Sequence, residues 1–186
     1  MAPDQLLEQK QAEKKEVKGY FETTGFDRWN RIYSDSDDVN KVQRNIRIGH
    51  QKTVDEVLAW IKKSDELSQA SFCDAGCGVG SLSLPLAAMG AGSISASDIS
   101  EAMAQEAERR AREAGLDMAK LNFFASDLES LSGSFHTVCC LDVFIHYPQQ
   151  PAEEMVKHLC SLTEERLIVS FAPCLLYTSD AADDTS

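Results

Sequence analysis

Asp74-Ala75-Gly76-Cys77-Gly78-Val79-Gly80 sets an acid ahead of three glycines spaced two apart. Chain without side chains can turn tightly and let a ligand lie against bare backbone. If a helix follows, its first N–H groups and positive dipole end would hold a carboxylate. A dinucleotide loop spaces its glycines G-x-G-x-x-G around a pyrophosphate. Here position 81 is serine and the third glycine comes one residue early. The spacing therefore argues against a nicotinamide dehydrogenase, which a titration with NAD would test, and leaves a ligand whose carboxylate meets the helix start.

Three acids follow at the places where such a ligand would need them. Asp98, 18 residues beyond Gly80, can accept two hydrogen bonds from ribose hydroxyls. Its other reading is a helix cap, since Ser97, Asp98 and Ser100 are all capping types. Asp127, in ASDLES, can accept from an adenine amino group with the Leu128 N–H beside it, and it too can cap. Cys77 and Ile99 complete the expected cofactor surface. In Leu141-Asp142-Val143-Phe144-Ile145-His146-Tyr147-Pro148, Asp142 and His146 fall after an apolar run, where an open α/β sheet binds its ligands. His146 there is a candidate substrate-positioning group or general base. Tyr20, Phe21, Phe26, Trp29 and Tyr33 interleave with Arg28 and Arg31. Apolar rings with guanidinium groups suit a flat aromatic substrate bearing carboxylates, although helix packing would also use the rings.

The elements that must position these residues are legible as periods. Residues 1 to 18 read as a charged helix, and 20–40 as an aromatic, turn-rich stretch containing Gly25. The Ser/Asp cluster at 34–38 suits a helix start. Val42, Ile46, Val54, Val57, Leu58 and Ile61 then recur at helical spacing, with a break expected near Gly49. Beyond Ser64, short apolar runs alternate with helical ones: SFCDAG, Ser81–Met89, SISASD, EAMAQEAERRAREAG, NFFASD, HTVCCLDV, Ala152–Leu162, RLIVSF. That alternation predicts an α/β fold, a mostly parallel sheet with helices on both faces. The division expected is an N-terminal helical lid or arm over 1–64 and a partial Rossmann-like core over 65–173.

The 186 residues are 43% hydrophobic, enough for one core, and carry a formal net charge of −12. That field repels phosphate backbones and anionic headgroups, so nucleic acid is excluded as a partner and membrane association is at most peripheral. The N-terminus mixes lysines with acids and lacks an apolar stretch, unlike a secretory signal or an acid-poor transit peptide. Six cysteines show no paired CxxC or His pattern, so reduced intracellular thiols and no metal site are expected. From Cys174, CLLYTSDAADDTS has neither helical nor strand period and resembles a translated sequencing adapter: the expectation is a non-native tail over 174–186 and a native reading that stops at Pro173. The tail holds three acids and no base, leaving −9 on the rest.

Taken together, YFETTGFDRWNRIY, VNKVQRNIRIGHQKTVDEVLAWI, CDAGCGVGSLSLPLA, SASDIS, DLESLSG, CLDVFIHYP and RLIVSFAP resemble the magnesium-protoporphyrin O-methyltransferases. These are class I S-adenosylmethionine-dependent enzymes, and the match runs from Tyr20 to Pro173. The glycine motif alone marks the superfamily; the N-terminal block and CLDVFIHYP are far more particular. The resemblance implies methyl transfer from S-adenosylmethionine to a propionate of magnesium-protoporphyrin IX in chlorophyll synthesis, with handover from the magnesium chelatase. It implies a chloroplast setting for an algal or plant source and the cytoplasm for a bacterial one. It places the cofactor on Asp74, Gly76, Gly78, Asp98 and Asp127, and sets His146 and Tyr33 beside the reacting carboxylate. Segments of the family after SFAP have no counterpart here, and the last strands are expected to be missing. Two other readings stand beside it: another small-molecule methyltransferase sharing the lid and loop, and a non-catalytic module that binds cofactor or porphyrin.

Overall fold

The computed structural model describes residues 12, 15, 17–22, 24–32, 39–63 and 67–171. The tail, Tyr33, the Ser/Asp cluster at 34–38 and most of the first 18 residues lie outside them. Five strands, β1 (Ser71–Ala75), β2 (Ser93–Asp98), β3 (Leu121–Ala125), β4 (Phe135–Cys140) and β5 (Thr163–Val169), form one sheet in the order β3-β2-β1-β4-β5. Every pairing is parallel. The order reverses direction beside β1, and the crevice above the strand ends at such a switch point is where open α/β sheets bind ligands.

Helices α1 (Thr24–Ile32) and α2 (Lys41–Lys62) precede the sheet; α3 (Ser83–Ala88), α4 (Glu101–Glu113) and α5 (Gln149–Ser161) connect its strands. The central strand is buried from Phe72 to Ala75 because both faces are covered: Phe72 packs with the α2 and α3 side, while Cys73 and Ala75 pack with α5. Helix α2 docks through Val54, Val57 and Ile61, spaced three and four apart and all buried. Each contributes roughly 1.5–3 kcal/mol by leaving water. Its N-terminal half carries no such anchor, and Val42 and Ile48 are exposed.

Several boundaries differ from those the periods predict. Residues 24–32, read as turn-rich, are helical; buried Gly25 packs against Tyr20, and Ile32 is fully buried. Helix α2 runs unbroken through Gly49, since an isolated glycine weakens a helix without stopping it. Its cap is Asn40, paired with Gln43 in a reciprocal capping box. Strand β1 extends one residue past Asp74, and α3 has six residues where nine were expected. Strand β3 ends at Ala125, so Asp127 stands two residues beyond it. Helix α5 begins at Gln149, three residues early, with Pro148 at its N-cap.

Candidate active site

The glycine loop leaves β1 with Gly76, Gly78 and Gly80 all in the left-handed region, at φ +86°, +52° and +89°. A side chain at Gly76 would meet Val143, and one at Gly80 would meet Leu84 and Ala107. Gly80 therefore lets α3 and α4 close together. A Cβ at Gly78 would meet nothing within 4 Å, so that glycine opens onto the cavity above the loop. Much of the loop's hydrogen bonding is already internal. Gly76 and Cys77 N–H groups donate to the Ser97 carbonyl, Gly80 N–H to the Cys77 carbonyl, and Gly78 N–H to Asp98 Oδ2 at 3.0 Å. The N–H groups of Gly76, Cys77, Gly78 and Gly80 are thus engaged within the fold, and α3 is barely more than one turn long.

Asp98 closes β2 and holds two N–H groups, Gly78 on Oδ2 and Ser100 on Oδ1 at 2.9 Å. Burial raises its pKa, opposed by those two bonds. A carboxylate has about four acceptor positions, so both oxygens can still receive hydroxyl donors. Asp74 lies beneath the loop, buried, and receives the Ser83 hydroxyl. Desolvation pushes its carboxyl up to about 6. Asp127 caps the turn at Leu128–Ser130 by accepting from Ser130 N–H at 2.8 Å.

A cleft of about 790 Å³, open mouth included, lies over these strand ends. Gly76, Cys77, Gly78, Asp98, Ile99, Leu128, Asp142 and His146 line it. Asp74, Gly80 and Asp127 are not among its lining residues. The Cys77 thiol there has its pKa driven well up by burial and by Asp74, which keeps it protonated. Met103, Ser126, Leu141, Val143 and Tyr147 add wall that the sequence did not single out.

The N-terminal segment roofs the cleft with Val17, Phe21 and Trp29. Three contacts hold it there. Ser100 hydroxyl donates to the Phe21 carbonyl at 3.3 Å, Arg110 reaches Asn30 at 2.5 Å, and Arg47 donates to the Ile32 and Arg31 carbonyls. His146 stands under this roof, its pKa lowered by burial and partly restored by Asp142. Arg28 lies against Trp29, 5.7 Å from the ring centre.

Asp142 adopts φ +58°, a left-handed conformation that aspartate tolerates better than most residues. His50, from α2, meets its Oδ2 at 2.6 Å and lines the same cleft. Sequence reasoning missed His50. Its partner is 92 positions away, so no local spacing could have marked it.

Residues 72–165 match the model of the methyltransferase domain family. A magnesium-protoporphyrin O-methyltransferase of Synechocystis is 53% identical over 157 residues, 84% of this chain and 67% of that one. The chain belongs to the magnesium-protoporphyrin O-methyltransferase family. A chloroplastic family member, the magnesium protoporphyrin IX methyltransferase of Arabidopsis thaliana, is 51% identical over 89% of this chain. The chain spans 53% of that relative's length. The crystal structure of the Synechocystis magnesium protoporphyrin IX methyltransferase with bound S-adenosylmethionine superposes with a TM-score of 0.83 at 52% identity. It covers 87% of this chain and 77% of its own. The fold is accordingly the Rossmann-like class I methyltransferase fold of the family.

Proposed function

We propose that this protein transfers a methyl group from S-adenosylmethionine to a propionate carboxylate of magnesium-protoporphyrin IX, giving the monomethyl ester in chlorophyll synthesis. The observation that carries the reading is the cleft itself: Gly78 opens onto it, Asp98 lines it beside Gly78, and His146 lies at its roofed end. Its residues suit the cofactor. Ile99, Met103 and Leu128 offer apolar wall to a flat base, and Asp98 offers acceptors to ribose hydroxyls. Asp98 and Asp142 favour a ligand bearing cationic groups.

When bound, S-adenosylmethionine supplies an electrophilic methyl on a positive sulfur. A propionate is already ionised at neutral pH, its ordinary pKa being near 4, so no strong base is required of the protein. The protein's work is to orient the carboxylate and exclude water, which can supply up to ~7–11 kcal/mol. His146, kept neutral by burial, orients it by donating one N–H. Tyr33 adds a second donor in the same role. Phe21 and Trp29 close over the reacting groups. Asp74 supports the loop from beneath, and Asp127 orders the Leu128 turn beside the base. Residues 1–64 act as the lid, 65–173 as the catalytic core, and 174–186 are a non-native tail.

The magnesium chelatase is the proposed source of substrate, and any membrane contact is peripheral. A plastid setting is proposed for an algal or plant source and the cytoplasm for a bacterial one. The test is incubation with S-adenosylmethionine and magnesium-protoporphyrin IX, following porphyrin mass. It is run on this chain and on one extended to its relatives' length. A gain of one methyl by the extended chain establishes the reaction. Cofactor binding by both without methyl gain would sink the porphyrin assignment and leave a different small-molecule substrate or a non-catalytic module.

A further inference from the structure

The left-handed turn at Asp142 is fastened from two separate elements. Just beyond β5, Ser170 accepts from the Asp142 N–H at 2.7 Å, and its hydroxyl donates to Oδ1 at 2.8 Å. From the opposite side, His50 meets Oδ2 at 2.6 Å. Since the carboxylate can only accept, His50 Nδ1 carries the proton in this bond. The turn then carries Val143 onto the glycine loop, where its Cγ2 lies 2.2 Å from the place a Gly76 Cβ would occupy. A run of contacts, His50 to Asp142 to Val143 to Gly76, thus spans the cleft from the lid helix to the loop, and all four residues line it. His50 also marks a junction in α2: the helix is anchored beyond it by Val54, Val57 and Ile61, and its earlier turns have no buried residue.

We infer that His50 is a positioning residue of the methyl-transfer site, donating from Nδ1 to Asp142 so that the Leu141–Val143 turn stays seated against Gly76. This hydrogen bond then couples α2 to the cofactor cleft. This rests on the reading of the cleft as the S-adenosylmethionine site. The groups facing Asp142 are His50 from α2, His146 from the turn that follows, the Ser170 hydroxyl, and the Cys140 thiol at the end of β4. The Asp142 carboxyl lies below its ordinary range, and the His50 hydrogen bond is the first cause. Removing His50 would raise that pKa, so acid would protonate Asp142 at a higher pH.

The experiment is calorimetric titration of the full chain with S-adenosylmethionine, for the wild type, His50→Ala, His50→Asn and His50→Gln. Losing a hydrogen bond to a charged group should weaken binding about tenfold in His50→Ala. His50→Asn carries a carboxamide N–H where Nδ1 stands and should recover most of the affinity. His50→Gln mimics Nε2 instead and should not. In His50→Ala the pH at which acid weakens binding should also move upward, which a loss of packing alone would not do. Wild-type affinity in His50→Ala, or recovery by glutamine rather than asparagine, would overturn the inference. If His50→Ala fails to fold, the asparagine and glutamine variants decide between the same outcomes. A wild type that binds no S-adenosylmethionine would remove the cleft assignment itself, and the inference with it.

Discussion

Phe21 stands edge-on to the His146 imidazole, ring centres 5.2 Å apart and planes at 85°, while Trp29 approaches the same ring at 6.1 Å and 86°. A segment that precedes the sheet by some fifty residues thereby desolvates a group in the turn beyond the fourth strand. Burial is the first cause of the lowered His146 pKa. Phe21→Ala should let water reach the ring and raise that pKa toward its ordinary value. Following the His146 proton resonance against pH checks this, and an unmoved midpoint would show that the arm does not set the imidazole's environment.

His146→Ala should lower turnover more than cofactor affinity, because its proposed partner is the acceptor carboxylate. One hydrogen bond to a charged group is worth about 1.5–3 kcal/mol, so roughly ten- to hundredfold in rate is expected. Steady-state kinetics beside calorimetry with S-adenosylmethionine would separate the two effects. An equal fall in both would remove His146 from the positioning role.

Gly76→Ala and Gly78→Ala should differ sharply although both sit at positive φ. At Gly76 the added carbon collides with Val143, and left-handed strain adds to the overpacking, for about 2–5 kcal/mol of lost stability. At Gly78 there is open space, so only the backbone strain of about 1–2 kcal/mol remains. The methyl there would instead intrude on the ligand. Denaturant unfolding should rank Gly76→Ala as the less stable, with Gly78→Ala losing cofactor affinity out of proportion to its stability.

Asp74 should make the fold less stable as pH rises through the range from 4 to 6. Its pKa is raised from 3.8 to about 6 in the folded chain, chiefly by desolvation, so the folded state holds the proton more tightly. That contribution is fully present below the unfolded pKa and is lost as pH climbs past the folded one. The amplitude is about 3 kcal/mol. Asp74→Asn keeps a partner for Ser83 and has no charge to desolvate, so this component of the pH dependence should vanish. A wild-type and variant pair with parallel stability curves between pH 4 and 7 would contradict the assignment.

Local pattern determined a good deal here. The alternation of β-branched and apolar runs with helical stretches marked five strands, because a sheet covered on both faces needs them. The acid and three glycines marked the loop, because left-handed turns exclude most side chains. Asp98 and Asp142 were marked by their places after strands. Other features needed the folded chain. Helix α1 was hidden behind Gly25, whose cost is overcome by burial of Ile32 and contact with Tyr20. That Asp127 caps a turn and Asp74 supports the loop from below follows from side-chain direction, which residue type and spacing leave open. His50 had no local signature. Its partner is brought near only when α2 lies across the end of β4, and a hydrogen bond formed across 92 residues belongs to packing rather than to spacing.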